Sequence, residues 1–197
     1  MAAARKRVAM PAGVRRAYGE LDRTQVVAAL HKLARRVGVQ RVKMRDLAAE
    51  LGVDPPALYY HVPGKQAAMD LLAESVLALI PIPETGAWDV RLIELYCAAR
   101  KAILSVPGTA SLLENNRGGE SARRLDRVSR SLLAEAGLAK AAAAAAHTVL
   151  YTNLLGSISL EESGAAAYRH RGKGHAAARF RAGLEVITAG IRASAVW

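Results

Sequence analysis

Between Lys43 and Lys65 the chain reads KMRDLAAELGVDPPALYYHVPGK. Its residue types suit contact with nucleic acid. Tyr59, Tyr60 and His61 set three rings side by side, and Pro56 and Ala57 flank them. Lys43, Arg45 and Lys65 supply positive charge around the same stretch. Three adjacent rings on a short exposed helix are costly without a partner, and a nucleic-acid groove supplies one. The competing reading is two ordinary amphipathic helices joined by a glycine, and the YYHVPGK tail weighs against it. Enzyme chemistry finds no comparable support. The chain has no H-E-x-x-H, no G-x-S-x-G and no Walker A sequence, so no catalytic residues and no cofactor are expected. Gly172-Lys173-Gly174-His175-Ala176-Ala177 fits a dinucleotide fingerprint, but no β-strand precedes it and no βαβ unit exists to hold it. The single Cys97 excludes a disulfide framework and a cysteine-based zinc site within one chain. No metal ligand set is expected.

The elements that would carry these residues can be read from spacing. Leu47, Ala48, Leu51 and Leu58 are placed to pack two short helices together, with Ala48 small enough to let them approach. Gly52 falls where the turn between them needs positive φ. Asp54 is positioned to cap the second helix, and Pro55 suits its first position. Before them, a helix over about 23–37 buries Val26, Leu30, Leu33 and Val37. Asp22 and Gln25 make a capping pair at its start, and Gly38 ends it. A fourth helix, about 65–80, carries Met69, Leu72, Val76 and Leu79 inward, and Pro81-Ile82-Pro83 stops it. Further helices are predicted over about 87–106, 110–114, 121–136, 139–162 and 176–193, with 163–175 as a loop. No stretch alternates with period two, so the fold class is all-α.

Charge separates the chain into parts. The net charge is +11, and residues 1–65 hold 13 Lys and Arg against 5 Asp and Glu. Residues 66–197 hold 15 against 12. The positive field is therefore concentrated around the helix-turn-helix, as phosphate binding requires. Residues 1–20 read as a mobile basic arm, whose Arg5, Lys6, Arg7, Arg15 and Arg16 could add phosphate or minor-groove contacts. Residues 21–65 read as the DNA-binding domain and 66–197 as a second helical domain. No signal peptide is evident, and no window of about 18 residues is free of polar groups. A cytoplasmic protein without a membrane partner is expected.

The pattern G-V-x-x-V-x-M-R-D-L-A-x-x-L-G-V followed by A-L-Y-Y-H-V-x-x-K resembles the tetracycline-repressor (TetR) family of bacterial transcription regulators. The ending looks like the branch containing the tetracycline repressors themselves. The resemblance runs from about Leu21 to Leu72, and beyond residue 80 it is one of architecture. It implies an all-α homodimer whose third helix enters the major groove of a two-fold double-stranded operator. The long helices near 139–162 and 176–193 would pair with those of a second copy. Arg45 matches a base-reading arginine. Pro56, Ala57 and Tyr59 match base- or sugar-contacting positions, and Tyr60, His61 and Lys65 match backbone-contacting ones. Lys43 is a further phosphate candidate. Pro55 departs from the pattern, because it replaces a base-contacting glutamine and cannot donate a hydrogen bond.

The family also implies a pocket for a small inducer. Tyr96 and Arg100 share one face of a helix, His147, Tyr151 and Leu154 share another, and Asn116 lies in a nearby loop. These six are the candidate ligand-binding residues, and the apolar body around them suits a hydrophobic or aromatic inducer. The expected function is ligand-responsive repression. The alternative is a DNA-binding or architectural regulator without a working pocket.

Overall fold

The computed structural model describes residues 21–115, 119–164 and 172–194. The basic arm, residues 1–20, lies outside the described residues, as do Asn116 and most of the expected loop at 163–175. The regular elements among the described residues are helices, in the order α1 (Arg23–Val37), a 3-10 turn (Val39–Arg41), α2 (Met44–Leu51), α3 (Pro55–His61), α4 (Lys65–Ala78), α5 (Trp88–Leu104), α6 (Thr109–Asn115), α7 (Glu120–Glu135), α8 (Lys140–Glu162) and α9 (Gly172–Ser194).

The first three helices form a unit because their apolar positions converge. Val26, Leu30 and Leu33 of α1 are buried with Leu47, Ala48 and Leu51 of α2 and Leu58 of α3. The start of α1 is closed by reciprocal bonds: Gln25 N donates to Asp22 Oδ1 at 2.7 Å, and Asp22 N donates to the Gln25 side chain at 3.4 Å. Gly52 takes φ 68° and ψ 29°, the left-handed corner that lets α2 turn into α3 without a Cβ clash. Pro55 opens α3, but Asp54 makes no side-chain cap bond. Proline at the first position already lacks an N–H to satisfy, so α3 starts from fixed φ rather than from a carboxylate.

Helix α4 links this unit to the rest. It ends at Ala78, two residues before the expected boundary, and the chain then presents Leu77 and Ile80 to the interior while Leu79 is exposed. The inward place predicted for Leu79 is therefore taken by its neighbours, because the helix has ended and the 3.6-residue period no longer applies. A second link lies at the turn between α5 and α6. Val39 N donates to Pro107 O at 3.1 Å, and Gln40 Nε2 donates to Ser111 Oγ at 2.8 Å. Gly108 sits there with φ +87°, and a Cβ at that residue would come within 3.3 Å of the Val39 side chain.

The larger body packs α5 among α4, α7, α8 and α9. Leu92, Leu95, Ile103, Leu132, Leu133, Leu150, Ile158 and Leu184 form its centre. Helix α9 begins at Gly172, earlier than predicted, so residues 172–175 are helix and not loop. No helix among the described residues is long and apolar enough to cross a membrane.

Candidate nucleic-acid interface and ligand cavity

The residues expected to meet DNA sit on α3 and at the two helix starts beside it. Leu58 is the buried residue of α3, and its burial turns the rest of that short helix outward. Pro56, His61, Lys43, Arg45 and Lys65 are exposed, and Ala57 is half-buried. Tyr59 is 49% and Tyr60 79% exposed, unusual for side chains with so much apolar area. Tyr60 and His61 meet edge to face with ring centroids 5.4 Å apart. Lys65 Nζ donates to Gln40 O at 3.1 Å. That bond gives the lysine at the start of α4 a local reason for its place, although its charge opposes the helix dipole.

Well away from this surface lies a cavity of about 280 Å³. Its apolar wall includes Leu77 of α4 and Ile80 just beyond that helix, Leu95 and Ile103 of α5, and Leu113 of α6. Its polar side is built by α7 and α8. His147 Nε2 donates to Asp126 Oδ1 at 2.9 Å. Its Nδ1 lies 3.0 Å from Ser129 Oγ and 3.2 Å from the Tyr96 hydroxyl. The Tyr96 and Ser129 hydroxyls are 3.1 Å apart. Burial pushes the Tyr96 phenol well above its ordinary pKa, against the hydrogen bond from Ser129, so Tyr96 remains a neutral hydroxyl. The Tyr151 hydroxyl donates to Leu113 O at 3.0 Å and so ties α8 to α6. The Tyr151 and His147 rings stack with centroids 6.2 Å apart.

Of the six candidate ligand residues, Tyr96, His147, Tyr151 and Leu154 line this cavity. Arg100 does not. It is buried on another flank of α5, where it pairs with Glu161 of α8 and lies 5.7 Å from the Phe180 ring centroid of α9. A buried arginine needs a counter-charge, and α8 supplies it, so Arg100 holds helices together. Asn116 falls outside the described residues. Sequence reading missed Asp126, Ser129 and Arg130, all of which line the cavity. Their signal was a polar i, i+3, i+4 triplet set among the apolar positions of α7.

Comparison with known proteins gives the surface and the cavity a context. Residues 26–74 match the family described as bacterial regulatory proteins, tetR family. The class A tetracycline repressor of transposon 1721 from Escherichia coli is 30% identical over 158 residues, spanning 78% of this chain and 73% of the repressor. The chain belongs to the TetR family. Another curated relative is spanned over only 64% of its own length. A tetracycline repressor from Acinetobacter baumannii in complex with minocycline superposes with a TM-score of 0.76 at 30% identity, covering 87% of this TetR-family chain and 96% of that one. BioQ with its natural double-stranded DNA operator superposes at 0.74 with 28% identity, covering 88% and 99%. The matched family segment begins in α1 and ends in α4. It therefore takes in the whole helix-turn-helix of this TetR-family chain.

Proposed function

We propose that this chain is a ligand-responsive transcriptional repressor that binds a two-fold operator as a homodimer and releases it when a small hydrophobic or aromatic molecule enters the cavity. In this reading residues 21–65 are the DNA-binding domain and residues 66–197 bind ligand and dimerise. Arg45, Pro56, Ala57 and Tyr59 meet base edges or sugars, and Lys43, Tyr60, His61 and Lys65 meet the backbone. Tyr96, His147, Tyr151 and Leu154 meet the inducer.

The observation that carries the reading is the course of α4. It starts at Lys65, beside the exposed rings, and its last residues, with Ile80 just beyond, wall the cavity. A molecule pressing on Leu77 and Ile80 acts on the helix that positions the recognition surface. Helix α7 grips the same helix: Ser121 N donates to Glu74 Oε1 at 2.8 Å, and Arg124 Nη2 donates to Ile80 O at 3.1 Å. A ligand that favours one setting of α4 shifts the DNA-binding equilibrium by its differential affinity for the two settings. Minocycline bound to one structural neighbour and an operator bound to another accord with both halves of the proposal.

Dimerisation is supported by faces left open on α8 and α9. On α8 the exposed positions Ala142, Ala145, Val149, Thr152, Gly156 and Leu160 follow one stripe. On α9 Ala182, Val186, Ala189 and Ala193 are exposed, and Val186 is 74% exposed. Two stripes of small and apolar side chains let helices of a second copy approach closely.

The test is binding of the purified protein to DNA from its own upstream region at stated salt, with and without a panel of hydrophobic and aromatic metabolites. Tight sequence-specific binding that one compound releases is the expected result. Specific binding that no compound alters would favour a ligand-independent regulator. Weak, salt-sensitive binding without sequence preference would overturn operator recognition at that DNA.

A further inference from the structure

Helix α7 begins without a side-chain cap of its own. Its N-cap residue is Gly119, which has no side chain to offer. The start of α1, by contrast, is closed by its own Asp22. The first turn of α7 is served from another helix: Glu74, well along α4, accepts from Ser121 N through Oε1 at 2.8 Å. A carboxylate there also meets the positive end of the α7 dipole. The seat is fitted to this side chain. A Cβ built on Gly119 would overlap Glu74 Oε2. Gly119 has φ −68° and ψ 160°, a backbone that any residue adopts, so what the glycine supplies is room for the carboxylate. The contact is also incomplete. Glu74 Oε2 is buried with no hydrogen-bond partner among the described residues, and such a group carries a desolvation cost. A carboxylate satisfied through one oxygen holds less firmly than a completed cap, which suits a catch that opens.

We propose, resting on the operator-binding reading above, that Glu74 is a positioning residue for DNA recognition: seated at the start of α7, it holds α4, and with it the recognition unit, in the setting that binds the operator. Glu74 stands nine residues beyond Lys65 on α4, about 13 Å along the helix axis, so its effect on DNA passes through the helix. With the catch open, α4 takes other settings. The competent fraction falls, and apparent operator affinity falls with it. Helix α7 also lines the cavity with Ser129 and donates from Arg124 to Ile80 O just past the end of α4. A molecule that displaces α7 therefore withdraws the seat from Glu74.

The experiment uses the full-length protein and the duplex that the wild type selects from a random pool. Glu74→Ala and Gly119→Ala lie on different elements, yet each is expected to weaken binding to that duplex about tenfold. The salt slope should stay unchanged, because no phosphate contact is lost. The double variant is expected to bind no more weakly than Glu74→Ala alone, since the added Cβ has no carboxylate left to expel. Glu74→Gln keeps an acceptor for Ser121 N and should recover most of the affinity. Hydrogen exchange at the Ser121 amide, without DNA, reads the seat directly. It is expected to quicken in both alanine variants and to stay slow in Glu74→Gln. All binding is measured below the melting transition of each variant. Faster exchange with unchanged DNA affinity would make Glu74 a structural cap and overturn the proposal. Additive losses in the double variant, or Gly119→Ala behaving as wild type, would overturn it as well. A wild type that selects no duplex would overturn the operator-binding reading and this inference with it, whereas the other outcomes overturn the inference alone.

Discussion

Single side chains carry distinct loads in this molecule, and their replacements separate them. Arg45→Ala is expected to weaken operator binding by about 1–3 kcal/mol and to relax base preference at one position in each half-site. Lys65→Ala is expected to weaken all DNA alike and flatten the salt dependence. It also frees Gln40 O, so a small loss of stability should accompany it. Competition titrations on specific and random duplexes read both effects, and an equal loss on both duplexes for both variants would overturn the division of roles. His31 predicts a pH effect. Its Nε2 lies 2.8 Å from Ser75 Oγ, which itself donates to Leu72 O, so the bond requires a proton on Nε2. Nδ1 is buried without a partner. Burial, and then the charge of Arg35, hold the His31 pKa below its ordinary 6.5. The unfolded chain binds the second ring proton more readily, so the stabilisation is complete above pH 6.5 and is lost as pH falls through the lowered value. Melting temperature should decline on mild acidification, and His31→Gln should flatten that decline. The sequence disclosed the Asp22–Gln25 cap because both partners are local. It misassigned Arg100 because its partners, Glu161 and Phe180, come from distant helices, and helical spacing does not say which neighbour covers a flank.

Helices were legible wherever the apolar period was strong and a glycine or proline marked the end. Gly38 and Gly52 mark their boundaries as expected, whereas α4 ends at Ala78, ahead of Pro81. The start of α9 was not legible, because Gly172 and Gly174 have low helix propensity, yet the helix extends over them. Asp126, Ser129 and Arg130 of α7 border the cavity, although none of them was among the candidate ligand residues. The contact between the 3-10 turn and the α5–α6 turn left no trace in local pattern at all. Its importance can be measured. Gly108→Ala puts a side chain at φ +87° and within 3.3 Å of Val39, and should cost about 1–2 kcal/mol in urea unfolding. Gln40→Ala, which removes only the bond to Ser111, should cost much less.

At the scale of the whole molecule, the concentration of positive charge in the first third and the absence of period-two alternation were enough to indicate an all-helical DNA-binding protein. The apposition of cavity and recognition unit through α4 was not, since it depends on how helices distant in sequence pack. Assembly offers the remaining prediction: Val186→Glu or Val149→Glu, at exposed sites on α9 and α8, should yield monomers in sedimentation and cut operator affinity sharply while leaving the monomer folded. A stable dimer in both variants would place the interface elsewhere. The bonds from Val39 to Pro107 and from Gln40 to Ser111 have a practical corollary for anyone building hybrid regulators. Residues 21–65 are not a detachable cartridge. Grafted onto a foreign sensor, they would keep the covalent joint through α4 but forfeit the second mooring. Such a chimera should still read its sequence yet respond feebly to its new signal, unless the Pro107–Ser111 corner is transplanted with it.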